Sequence, residues 1–404
     1  MDYRADQFAA PLYVDRDLLP RPIREVTLLQ NLPWKYRFTT WYVLPIGVWK
    51  VQVMRLFNYL RSNRRRWIPL ILAAGWLVVA TGMTLNNQAA DPRDGQIEVH
   101  LDPTKVLGSD SCEKCHAAEI SVWKQTPHHE TFQTLHRKPE AIQIASKLGI
   151  SSFKHDSACI KCHYTMQQSA SGLEPVSGVS CESCHGAAKD WIAIHNDYGG
   201  PGVTGEQETP DHRLQRLRAS IAGGMRNPAN VYLVAQSCYR CHTVPDEKLV
   251  NVGGHKAGSL DFEIVAWSQG TVRHNFMHSH GQSNTVSDPA RLRLMFVAGM
   301  IADLEFSLRA TASATEKATF GLTSAQRAAR AAKRLEAAQG QLQQPLLDEV
   351  LQAFKGVKLK LNNREQLEAA ADKINTLGIR FAATVDGNTL EAIQKYIPSA
   401  ERWK

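Results

Sequence analysis

Three stretches of this chain carry most of its apolar patterning. From Trp67 to Met83 no residue is ionisable, and the next charge is Asp91. Seventeen to twenty uncharged residues make a helix of roughly 25–30 Å, so a transmembrane helix is expected over 67–87. Ahead of it, Phe38–Trp49 is apolar and aromatic but too short to span a bilayer, and Pro45 and Gly47 weaken it as a regular helix. It reads either as an interfacial segment with aromatic rings at headgroup level or as a docking surface for a membrane subunit. The third stretch begins near residue 289. There Leu292, Met295, Phe296, Met300, Leu304 and Leu308 recur near a 3.6-residue period. Helices are further expected over 323–342, 345–354, 364–377 (stopped by Gly378) and 388–396. Arg327, Arg330, Lys333 and Arg334 are read as an exposed basic stripe, a solvated face or a dock for an acidic partner.

Between about 91 and 288 there is little sustained periodicity, many glycines and prolines, and most of the histidine. A core built there by bound cofactors rather than by helix faces explains such a pattern. The expected organisation is therefore a tail over 1–66, a transmembrane helix over 67–87, a cofactor-bearing domain over 88–288 and a helical carboxy-terminal region over 289–404. The fold class is mainly α with little regular sheet.

Charge sharpens the topology. The chain has 47 Lys and Arg against 39 Asp and Glu, a net of +8. Residues 1–66 hold 12 basic and 5 acidic residues, hence +7, leaving +1 for the remainder. The basic excess is thus not a nucleic-acid footprint, and that class of partner is excluded. It precedes the apolar span, which puts the tail in the cytoplasm and the rest in the periplasm, in a single-pass protein of the inner (cytoplasmic) membrane. A cleaved signal ending near Gln88–Ala90 competes, but 66 leading residues are too many for one.

The chemistry lies in the cysteines. All eight belong to four Cys-x-x-Cys-His pentapeptides: Cys112–His116, Cys159–His163, Cys181–His185 and Cys238–His242. This is the attachment signature of c-type haem. Cys112, Cys115, Cys159, Cys162, Cys181, Cys184, Cys238 and Cys241 would form thioethers to the vinyl groups. His116, His163, His185 and His242 would be proximal iron ligands. Zinc ribbons need no histidine after each pair, and a disulfide framework does not repeat one spacing so strictly. Four covalent haems are expected. The 22-residue gap between His163 and His185 suggests that the second and third are close neighbours.

Distal ligands separate electron transfer from catalysis, because an iron ligated on both faces has no place for substrate. Eleven histidines lie outside the motifs. His100 and His212 read as surface residues; His128, His195, His255 and His274 are the distal candidates. Two patterns then resemble the tetrahaem cytochrome c-554 family: Cys112-x-x-Cys-His followed by Trp123-x-x-Thr126-x-His128, and Gly178-Val-Ser-Cys-Glu-Ser-Cys-His-Gly186 with His195 downstream. The resemblance covers roughly residues 105–280. It implies a compact arrangement of stacked and perpendicular haem pairs. It also implies that His195 serves the haem on His116, His128 the haem on His242, and His255 or His274 the haem on His185. The haem on His163 would then resemble a five-coordinate site, although the spare histidine leaves it open to closure. The anchor and tail depart from the family. Met166, in Cys159-x-x-Cys-His-x-x-Met166, is similar to a ligand run of small membrane-anchored tetrahaem quinol dehydrogenases, but packing is the simpler reading.

Electron transfer between the membrane (quinol pool or a membrane respiratory complex) and periplasmic redox proteins is the function expected, with no catalytic residues. The alternative is an oxidoreductase acting on a small nitrogen species at the second haem. The Cys-x-x-Cys-Lys site of pentahaem nitrite reductases is absent.

Overall fold

A computed structural model describes residues 101–404, which fall within one compact unit. They are mainly helical, with one two-stranded antiparallel sheet, β1 (Thr165–Ser169) and β2 (Gly172–Ser177).

The centre of the carboxy-terminal half is one helix, Pro289–Ser313, which starts where the periodicity predicts. Asp288 caps it by accepting from the Arg291 N–H, and Pro289 sits at its first position, where no N–H is needed. Almost every residue from Leu292 to Ala312 is buried, as expected of a helix surrounded on all sides. It packs against Thr319–Leu342 and Arg364–Thr384, and also against Val231–His242, the helix that carries the fourth cysteine motif. Pro345–Lys355 and a 3₁₀ segment, Gly387–Tyr396, complete this core.

Two carboxylates buried at its centre are matched. Glu305 accepts from Tyr232 Oη at 2.6 Å, Gln236 Nε2 at 3.0 Å and Arg309 Nε at 3.0 Å. Asp303 pairs with Arg327 at 2.5 Å. Such pairing lets charges sit in an apolar interior.

Two helical expectations change. Helix 364–384 runs straight through Gly378, because a side chain there would strike Tyr232: a Cβ would lie 2.2 Å from its ring. The residue is small for packing and does not stop the helix. Arg327 is not part of an exposed stripe. It is 3% exposed, held by Asp303 and by the Ser259 carbonyl, whereas Arg330 and Lys333 are exposed.

The expected transmembrane helix is also corrected. Among the described residues no helix is long and apolar enough to cross a membrane. The longest, 289–313, is interrupted by Arg291, Arg293, Asp303, Glu305 and Arg309, whereas a span needs about 20 predominantly apolar residues. The segments 67–87 and 38–49 lie outside the described residues. A single-pass placement in the inner membrane therefore has no support.

Candidate haem sites

The cofactor half is a string of short helices. We label them α1 (Asp110–Glu113), α2 (Ala117–Trp123), α3 (Pro127–Thr134), α4 (Pro139–Leu148), α5 (Ser157–His163), α6 (Cys181–His185), α7 (Ile192–His195), α8 (Pro210–Ala222), α9 (Val231–His242) and α10 (Glu247–Asn251). α5, α6 and α9 each end on the histidine of a motif, and His116 caps the start of α2.

Local chemistry explains why the motif neighbourhoods fold as they do. Thr126 caps α3 by accepting from the His129 N–H and donates to the Trp123 carbonyl at 2.8 Å. Trp123 Nε1 donates to the Val179 carbonyl at 2.8 Å, and the Val179 N–H donates to the His128 carbonyl at 3.0 Å. Trp123, Thr126 and His128 thus form one clamp between the first and third motifs. Gly178 is needed because a Cβ would lie 2.4 Å from the His128 carbonyl oxygen. Gly186 combines φ +89° with a Cβ position 2.2 Å from the Gly224 oxygen, so only glycine fits.

Between these glycines, Glu182 is 1% exposed and its carboxylate accepts from three backbone N–H groups. They are Leu107 at 2.9 Å, Gly108 at 2.8 Å and Ala188 at 2.8 Å. It ties the third motif to the chain on either side, a role its place in the pentapeptide does not reveal.

Three histidine pairs face one another. His116 and His195 have ring centroids 6.4 Å apart, His128 and His242 6.3 Å, and His185 and His274 6.1 Å. Two imidazole nitrogens, each about 2.1 Å from one metal, put their ring centroids roughly 6–6.5 Å apart. The three pairs therefore fit an iron between them. Interplanar angles of 26°, 68° and 90° are compatible with this, since either ring can turn about the shared axis. Nδ1 of His195 lies 2.6 Å from the Ile192 carbonyl and Nδ1 of His274 lies 2.7 Å from that of Val272. With the proton held there, Nε2 is left for a metal.

Burial favours the neutral, ligating form at several of the buried rings. Burial pulls His185 down to about 4, helped by the charge of His274. Burial does the same to His242, with His128 next, and to His163, with His255 next. His128 and His195 are also lowered, chiefly by burial.

His274, not His255, is thus the ring brought to His185. Met166 is buried in a cluster with Cys159, Ile160 and Tyr164. His212, read as a surface residue, bonds Glu208 at 2.8 Å. The same carboxylate is gripped by Arg216 at 2.7 and 2.6 Å, while Arg216 Nη1 donates to the His195 carbonyl at 2.6 Å. This brace behind His195 escaped the sequence because its members lie 4 to 21 residues apart without periodicity.

Cys112 and Cys181 are neighbours, as are Cys162 and Cys241. Cys184 lies near Cys241 and Cys238, and Ser237 Oγ donates to its carbonyl at 2.7 Å. The first motif therefore touches the third, the second touches the fourth, and the third adjoins the fourth. The second and third share a junction at Thr165, which bonds Ser180 and Ser183 at 3.0 Å each. The short sequence gap is nevertheless not where their thiols meet.

Residues 111–186 match the family described as Cytochrome c554 and c-prime. Cytochrome c-554 of Nitrosomonas europaea is 28% identical over 160 residues, which are 37% of this chain and 63% of that protein. The match thus spans less than two thirds of that relative's length. No solved structure matches. Over these residues the chain is similar to c-type cytochromes of the c554 family.

Proposed function

We propose that this chain is a c-type cytochrome of the c554 family, carries four covalent haems, one on each Cys-x-x-Cys-His motif, and conducts electrons between redox-protein partners. When bound, a haem iron takes up and releases one electron. The part of the chain is to hold each iron in a fixed ligand field and to keep the four close together.

One observation carries this reading: three pairs of histidine rings at 6.1–6.4 Å. Ligation from both faces leaves no substrate position on an iron, which suits conduction. In this reading His116 and His195 hold the first haem, His185 and His274 the third, and His242 and His128 the fourth. The thiol contacts favour the order first, third, fourth, second. Cys115, in the first motif, is exposed, which favours that end of the order as the one a partner reaches.

The test is the mass of the denatured protein made in a host that matures c-type haem. Four haems add about 2.5 kDa. Three or fewer would count against the reading, and replacing both cysteines of one motif should remove one haem.

A further inference from the structure

We infer that Arg226 sets the reduction potentials of the third and fourth haems. Its guanidinium is a fixed positive charge between the two motifs and makes both irons easier to reduce. The inference rests on the proposal that those motifs carry haem.

The chain between α8 and α9 delivers this residue to the third motif. Gly224 has φ +101°, which a side chain would strain. Its carbonyl oxygen meets Gly186, the residue after His185, where a Cβ would lie only 2.2 Å away. The main chain of Arg226 then docks on the histidine itself. Its N–H donates to the His185 carbonyl at 2.8 Å, and its own carbonyl lies 3.4 Å from His185 Nδ1. The side chain crosses to the fourth motif. Nη1 donates to Ser237 Oγ at 2.8 Å, and that hydroxyl donates in turn to the Cys184 carbonyl at 2.7 Å. Ser237 is buried and immediately precedes Cys238. Hydrogen bonds thus hold the half-buried guanidinium against both motifs at once.

No acid neutralises it. Arg216, Arg309 and Arg327 each grip a carboxylate. Among the described residues, none lies within ion-pair reach of Arg226. Glu182, the buried carboxylate of the third motif, is turned to the N–H groups of Leu107, Gly108 and Ala188. Burial, with the neighbouring Arg240, lowers the Arg226 guanidinium only to about 10, so it stays charged at neutral pH. A partly buried charge is screened less than a surface one. Iron loses one positive charge on reduction, so a nearby cation favours the reduced state. The third and fourth motifs are the middle pair in the order of thiol contacts, and electrons would therefore collect at the centre of the conduit.

The experiment uses the full, haem-loaded chain, with haem counted by pyridine haemochrome and located on its peptides by mass spectrometry. A wild-type protein lacking the third or fourth haem would overturn both this inference and the reading of the motifs. One lacking only the first or second would overturn that reading alone. Spectroelectrochemical titration then compares Arg226→Met and Arg226→Lys with the wild type. Arg226→Met should keep the haem count and spin state and lower two midpoints. Each should fall by about tenfold in the reduction equilibrium constant, which is about 59 mV for one electron. Arg226→Lys keeps the charge and should hold both midpoints near their wild-type values. A packing role alone would lower the melting temperature of both variants and move no midpoint. Unmoved midpoints in Arg226→Met, or an equal fall in both variants, would overturn the inference. So would a single midpoint whose shift depends on pH, which marks a haem propionate as the partner of Arg226. If Arg226→Met fails to accumulate, Ser237→Ala frees the guanidinium from the fourth motif and should lower the same two midpoints by a smaller amount. Unchanged midpoints there would overturn the inference as well.

Discussion

The rings of His116 and His195 face each other with centroids 6.4 Å apart and planes 26° from parallel, although 79 residues separate them in the chain. The near ring belongs to a motif; the far one is set by α7 and braced from behind. Arg216 grips the His195 carbonyl and, with its remaining donors, Glu208.

This relationship makes a direct prediction about ligand removal. His195→Ala, His128→Ala and His274→Ala should each convert one low-spin iron to high-spin while leaving the haem count unchanged. Ferric spin-state spectra of the three variants check this. Wild-type spectra from all three would refute the ligand set.

The brace behind His195 has a pH signature. Glu208 is lowered below the usual carboxylate value, chiefly because Arg216 donates to it, against the opposing effect of burial, with His212 adding to the lowering. Its stabilising contribution is therefore present above the ordinary carboxylate pKa and is lost as pH falls through the lowered folded value. Glu208→Gln should lower the melting temperature at neutral pH, and the gap from wild type should close in acid. Arg216→Ala leaves a carboxylate 1% exposed without its main partner and should cost on the order of 2–4 kcal/mol. Thermal melts across pH check both.

At Gly378 packing and helix propensity predict opposite signs. Alanine in a helix interior is favoured over glycine by about 1 kcal/mol. Its Cβ, however, would lie 2.2 Å from the Tyr232 ring, which Glu305 holds at 2.6 Å. Overpacking of a rigid core costs roughly 1–3 kcal/mol. Gly378→Ala should lower the melting temperature, and a rise would show that Tyr232 moves freely.

Glu182 offers a test of the third motif. Glu182→Ala removes the acceptor for three backbone N–H groups and should cost on the order of 2–4 kcal/mol. Melting temperature and haem yield should both fall, and an unchanged melting temperature would count against the role.

What the sequence disclosed follows the range of the interactions. The motifs and the long helix from Pro289 are written in local spacing, and both could be read directly. His128 and His195 entered through motif resemblance, because a ligand from across the fold leaves no periodic trace. The choice between His255 and His274 was not legible: both sit in glycine-flanked or irregular turns, and only the fold shows that His274 is the ring brought to His185. Arg327 looked exposed because Asp303, its partner, lies 24 residues earlier on another helix. Gly378 looked like a helix stop because Tyr232 is remote in sequence. The transmembrane helix was read from hydropathy alone, and no described helix has that character.

The central claim is that four haems on one chain act together as an electron conduit. Anaerobic reductive titration of the purified, haem-loaded protein tests it most directly, with electrons counted against chains. The account predicts four electrons taken up per chain, all returned on reoxidation with the starting spectrum restored. Uptake of three or fewer, or an iron that cannot be cycled, would contradict it.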